Sequence, residues 1–213
     1  QLTFADVTEE TELGKSLLKV TGSNIVVTDL DNDNWPDIFV SKGDKNRETP
    51  ETPKNLYRLL KNIKGLGFTD VTWTSGLFKT QSGENGRVAS FSIFADINGD
   101  GFKDAFVASY TDSSANVVDS SDIFFNNGDG TFTIQPNQKF TTSFRDPVAS
   151  VAFLDYNKDG YLDIYVGHHY STYGDLGSCI GDNLFEGDGF GLFVDATVKA
   201  NLKTQPTTTQ TLV

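Results

Sequence analysis

The chain has no Met, one Cys (Cys179) and two His, and its 17 Lys and Arg are outnumbered by 29 Asp and Glu. Each shortage excludes something. A single Cys cannot close a disulfide within the chain, so Cys179 would pair only with a Cys outside it; secreted proteins need not use disulfides. The formal charge of −12 argues against a nucleic-acid or anionic-membrane partner, since both demand a basic patch. No apolar stretch reaches the roughly 18 residues of a membrane helix, so no membrane insertion is expected. A chain that opens on Gln1 without any Met reads as processed or cut from something longer, and a removed secretory signal would explain it.

What remains is ample for a core. The 213 residues suit one domain of ordinary size or two small ones, and 37% are hydrophobic, with 17 Phe. They are also periodic. "DINGDGFKD" at 96–104 has two relatives, "DLDNDNWPD" at 29–37 and "DYNKDGYLD" at 155–163, each flanked by short apolar runs. A second marker recurs out of phase with the first, starting at Phe4 ("FADVT"), Phe68 ("FTDVT"), Phe132 ("FTIQP") and Phe193 ("FVDAT"). Its last three copies follow a Gly-containing turn and, before that, another strand-like run.

Each unit reads strand, acidic loop, strand, variable loop, strand, Gly turn, strand. The runs are rich in Val, Ile, Phe and Tyr and bounded by Gly, Asn and Asp. Only "PKNLYRLLKNI" at 53–63 could pass as a helix, and its counterparts in the other units are extended. Four strands joined in order make an antiparallel meander, and such a unit repeated at about 60 residues reads as a β-propeller blade. The expected fold is all-β: a single partial propeller over 1–213, with blades near 23–73, 87–136 and 147–198. Residues 1–8 read as the last strand of a preceding blade and 207–213 as the first strand of a following one. The rest of the ring would come from the same parent chain or from another subunit.

Numbered from its first Asp, the loop places Asp29, Asp96 and Asp155 at position 1, and Asp31, Asn98 and Asn157 at position 3. Asp33, Asp100 and Asp159 stand at position 5, and Asp37, Asp104 and Asp163 at position 9. Position 6 is Asn34, Gly101 or Gly160, residues tolerant of left-handed backbone. Trp35, Phe102 and Tyr161 at position 7 can offer only a backbone carbonyl. Oxygen ligands at this spacing describe a Ca²⁺ loop. Ligands without His or Cys argue against zinc. An EF-hand would need Glu at position 12, where Val40, Val107 and Val166 stand instead. Ten of the 29 acidic residues lie in these loops, and three Ca²⁺ would halve the formal charge of −12.

With these residues in view, the chain resembles the FG-GAP/VCBS repeat family, whose calcium-bearing blades also build integrin α-subunit propellers. "DINGDGFKDAFVAS" is similar to that family's loop and second strand, and "NLFEGDGFGLFVDAT" to the third and fourth strands of its cartilage-acidic-protein-like branch. The resemblance implies a propeller with Ca²⁺ between the first two strands of each blade. It also implies an extracellular or periplasmic setting and, often, adhesion or ligand binding. Two departures stand out. Loop 1 has Asn34 where the family prefers Gly, and the fourth strand of the second unit lacks Asp-Val-Thr and meets Pro136.

Other features have bland readings. His168 and His169 sit where a strand leaves its blade and read as surface residues; Cys179 has no base marked for it, and "GDGFGLF" lacks the Lys of a phosphate loop. The polar stretches 43–55 and 111–121 read as variable loops. The function expected is a secreted, calcium-stabilised binding or adhesion scaffold for a protein or glycan ligand, without catalysis. The alternatives are a lectin-like propeller stacking sugars on Trp35 or Trp73, or a structural subunit of an extracellular assembly or secreted enzyme.

Overall fold

A computed structural model describes residues 3–11, 13, 22, 24–42, 48–52, 54–89, 91–108, 120–136, 148–168 and 181–202. The described strands form three four-stranded antiparallel sheets, each with its strands in sequence order. Blade 1 is β1 (Asn24–Thr28), β2 (Asp37–Ser41), β3 (Tyr57–Asn62) and β4 (Phe68–Asp70). Blade 2 is β5 (Phe91–Ala95), β6 (Asp104–Ala108), β7 (Asp122–Asn126) and β8 (Phe132–Ile134). Blade 3 is β9 (Val148–Leu154), β10 (Asp163–His168), β11 (Asn183–Gly187) and β12 (Phe193–Asp195). The fold is therefore all-β and propeller-like. The segment that could have passed as a helix is β3, because its apolar residues pair across a ladder with β2 from Ile38↔Leu60 to Ser41↔Tyr57.

Burial explains the sequence of the second strands. A strand covered on one face alternates apolar and polar residues, whereas one covered on both faces is continuously apolar. In β6 every residue is buried. Ala105 and Val107 join a cluster with Phe39, Tyr57 and Leu59 of blade 1, while Phe106 and Ala108 join one with Ile164, Val166 and Phe185 of blade 3. Blade 2 is thus packed between its neighbours, and each fully buried Leu or Phe contributes about 1.5–3 kcal/mol. The outer face of β1 has no such cover among the described residues: Ile25 is 66% exposed.

The connector from blade 1 to blade 2 supplies core of its own. Phe78 stacks on Tyr57 with ring centroids 3.9 Å apart. Trp73 meets both rings edge-on. The connector also carries Arg87, which is fully buried. Its guanidinium donates to Asp122 Oδ2 and to the Lys79 and Ser120 carbonyls, and lies 5.1 Å from the centre of the Phe124 ring.

Both ends depart from or escape expectation. Of residues 1–8, read as the last strand of a preceding blade, the described residues 3–8 form no strand here. They lead into a turn closed by Thr11 N–H donating to the Val7 carbonyl, with Phe4 98% exposed. A strand needs a ladder partner, and none of the described strands pairs with this segment. The strand expected at 207–213 lies outside the described residues, as do His169, Cys179 and most of the 111–121 loop. β8 ends at Ile134, short of Pro136.

Arg87→Met would strip the buried Asp122 carboxylate of its guanidinium, with the Gln81 amide still donating to Oδ1. We expect a loss of about 3–5 kcal/mol in chemical denaturation, the usual cost of breaking one side of a buried pair.

Candidate metal centre

The three acidic loops join the first and second strands of their blades and share one hydrogen-bond pattern. The position-1 carboxylate accepts backbone N–H groups from positions 5 and 6: Asp33 and Asn34 on Asp29, Asp100 and Gly101 on Asp96, Asp159 and Gly160 on Asp155. The position-5 carboxylate accepts from position 7, at 2.9 Å for Trp35, 2.8 Å for Phe102 and 2.9 Å for Tyr161. These bonds wind the loop around its own carboxylates. The winding puts two residues per loop into left-handed backbone, at positions 4 and 6: Asn32 and Asn34, Gly99 and Gly101, Lys158 and Gly160. Position 6 was legible in the sequence; position 4 was not, because Lys158 is not a turn-former by type.

Position 9 does something the spacing did not reveal. Asp37, Asp104 and Asp163 are buried at the start of the second strand. One oxygen of each accepts the N–H of position 2, from Leu30, Ile97 and Tyr156 at 3.0, 3.0 and 2.9 Å. The other accepts an N–H at the end of the third strand, from Asn62, Asn126 and Gly187 at 2.8, 2.9 and 3.0 Å. One carboxylate therefore ties loop, second strand and third strand together. Burial pushes Asp37 up from the usual carboxylate range and Asp104 to about 6, against the lowering effect of those N–H bonds.

The position-7 aromatics pack on the turn between third and fourth strands. A Cβ at Gly65, Gly128 or Gly189 would meet the rings of Trp35, Phe102 and Tyr161 at 2.7, 3.1 and 2.2 Å, so these turns hold Gly for close approach as well as for their positive φ. The second marker has its own role. In "FTDVT" Asp70 accepts from the Thr72 N–H, and the Thr72 hydroxyl accepts the Leu59 N–H of β3; Asp195, Thr197 and Leu184 repeat this in blade 3. Blade 2 has Ile134 and Pro136 at these places and keeps only the backbone bond from Gln135 N–H to the Ile123 carbonyl.

Convergence differs among the loops. Asp29, Asp31 and Asp37 each bring a carboxylate oxygen within 4.8 Å of the others, the one such acidic group among the described residues. Loops 2 and 3 have Asn98 and Asn157 at position 3, where loop 1 has Asp31. Asp31 Oδ1 is buried and has no hydrogen-bond partner, while Oδ2 pairs with the Lys61 ammonium. An orphaned buried carboxylate oxygen fits a cation ligand, since leaving it unpaired is costly. Adjacent loops also touch: Asn32 Nδ2 donates to the Gly101 carbonyl at 3.0 Å, and Asn126 Nδ2 to the Leu30 carbonyl at 2.6 Å. A pocket of about 210 Å³ opens at this seam of blades 1 and 2, lined by Asp31, Lys61, Leu59, Val71, Asp129 and Thr131 among others.

Taken together, a meander of four strands, an acidic first loop and a Gly turn before the fourth strand define each blade as a repeat of one propeller type. Residues 96–166, a third of the chain, match the model of the FG-GAP-like repeat. The match runs from the first Asp of loop 2 to β10 and includes loops 2 and 3. No curated protein matches the chain. Among solved structures, the chain is similar to an Agrocybe aegerita lectin described as specifically recognising non-reducing terminal N-acetylglucosamine. The identity is 20% over 80% of this chain, with a TM-score of 0.43. The alignment spans 36% of the lectin's length.

If position 9 is a backbone anchor in its own right, Asp104→Asn should destabilise the protein even in EDTA. The amide would present NH₂ to one of two N–H donors, and we expect a loss of about 1–3 kcal/mol in a urea titration without divalent cations.

Proposed function

We propose that the chain is a calcium-stabilised extracellular scaffold of FG-GAP repeats that binds a protein or glycan partner. The observation that carries the reading is the loop 1 carboxylate group, with its buried, unpartnered Asp31 Oδ1, set in a loop architecture repeated in blades 2 and 3. The ligands would be Asp29, Asp31, Asp33, the Trp35 carbonyl and Asp37 in loop 1. In loop 2 they would be Asp96, Asn98, Asp100, the Phe102 carbonyl and Asp104. In loop 3 they would be Asp155, Asn157, Asp159, the Tyr161 carbonyl and Asp163. A hard divalent cation with flexible oxygen coordination neutralises carboxylates held this close. The chain's own part is to hold them there. Position 1 is fixed by loop N–H groups and position 9 by the third strand, so little ordering remains when a cation arrives. The position-9 oxygens keep a lone pair each beyond their N–H bonds. This role is structural, and the reading assigns no reaction to the chain.

A glycan partner is the second reading, and it shifts from where the sequence placed it. Trp73 is half-buried, set edge-on against Tyr57 and Phe78, while Trp35 lies on Gly65 and is 41% exposed. The seam pocket, with Leu59 and Val71 beside Thr131 and Asp129, is the concave surface a hydroxyl-bearing ligand would use. Binding on a glycan array that is lost in Thr131→Trp but kept in Trp35→Ala would support this location.

Calorimetric titration should show three calcium sites, and saturation should raise stability. At a free concentration 100-fold above Kd, each site adds about 2.7 kcal/mol. Equal melting temperatures in EDTA and in excess calcium would exclude the reading.

A further inference from the structure

The three loops differ most at one cross-strand place. Ile38 pairs with Leu60, Ala105 with Phe124 and Ile164 with Phe185, so Lys61, Phe125 and Glu186 are equivalent residues, one step further along the third strand. Where charged, the side chain at this place reaches position 3 of its own loop. The Lys61 ammonium pairs with Asp31 Oδ2, and Glu186 Oε1 accepts from Asn157 Nδ2 at 2.7 Å. Phe125 brings no charge and lies against Gly191 of the next blade. Position 3 and its cross-strand residue thus form a matched set: Asp with Lys, Asn with Phe, Asn with Glu. Loop 1 has one more carboxylate than the others, and it alone carries a cation of its own beside that carboxylate.

We propose that Lys61 is an intramolecular competitor for Asp31, so that a divalent cation taking Asp31 Oδ1 in loop 1 works against the Lys61 ammonium on Oδ2 and loosens it. This rests on the calcium reading above. The pairing costs the cation site part of its field, because an ammonium a few ångströms away repels a second positive charge by an amount worth roughly tenfold in affinity at a partly solvated position. Loosened, the ammonium has another anion nearby: Asp129 of blade 2 lines the same pocket and is held below the usual carboxylate range first by Thr131 and partly by Lys61. Cation entry in loop 1 therefore passes a charge across the seam between blades 1 and 2. Loops 2 and 3 have no lysine at the equivalent place and bind without this exchange.

Loop 1 carries its own reporter, because Trp35 occupies position 7 where the other loops have Phe102 and Tyr161. Terbium titrated into the protein, with excitation at the red edge of Trp absorption, reads loop 1 by sensitised emission; the signal should vanish in Trp35→Phe. We expect half-saturation about tenfold lower in Lys61→Gln than in the unaltered protein, with Lys61→Arg, which keeps the charge, close to unaltered. Calorimetry with calcium should show one of three sites tightened in Lys61→Gln. Equal half-saturation in Lys61→Gln and the unaltered protein, or weaker binding in Lys61→Gln, overturns the competitor role alone. Absence of any terbium or calcium binding in the unaltered protein overturns the calcium reading and the competitor role together.

Discussion

A single carboxylate, repeated three times, sets the geometry on which the blades depend. Asp37, Asp104 and Asp163 each bridge a loop N–H and a third-strand N–H from the start of the second strand. Hairpin connections alone would leave the acidic loop free to pivot on its strands. The bridge fixes it relative to the second and third strands, and the remaining carboxylates are then wound into place by loop N–H groups. The same constraint explains why these Asp residues tolerate full burial: both oxygens are satisfied by backbone donors at 2.8–3.0 Å. A buried carboxylate without such donors would be strongly disfavoured.

The blades are equivalent in plan but not in detail, and the differences follow from neighbours. Asn62 and Asn126 end their third strands with an amide that donates to their own loop carbonyls, Pro36 and Lys103, and Asn126 reaches across to Leu30 as well. Blade 3 has Gly187 there, where a Cβ would meet the Leu162 carbonyl at 2.2 Å. Blade 3 thus loses the inter-blade amide that blade 2 has. The missing Asp-Thr pair of blade 2 is accompanied by a different anchor: Arg87 and Asp122, buried against Phe124, hold the start of β7. Local polar devices are exchanged between blades while the ladder of four strands is kept.

Much of this was legible in the sequence, for a physical reason. Strand order, blade number and the loop positions all repeat along the chain, and repetition separates pattern from chance. The short apolar runs became strands, and "PKNLYRLLKNI" went with its counterparts into β3. What stayed hidden depends on register across strands. The third-strand bond of position 9, the Lys61–Asp31 pair and the Asn157–Glu186 bond join residues 22 or more apart, through pairings that periodicity alone does not fix. The half-burial of Trp73 has the same origin. An aromatic in a loop looks available for stacking until the connector folds Phe78 and Tyr57 against it. The segment at 3–7 shows the converse: a strand-like motif stays irregular when no described strand pairs with it.

The central claim is that the three carboxylate loops are cation sites built on one backbone plan. Anomalous diffraction from crystals grown in a calcium salt tests it most directly, because the scattering identifies the element as well as its place. The account predicts one peak in each loop, between the carboxylates of positions 1, 3 and 5. Loops of unchanged shape that hold only water would contradict it.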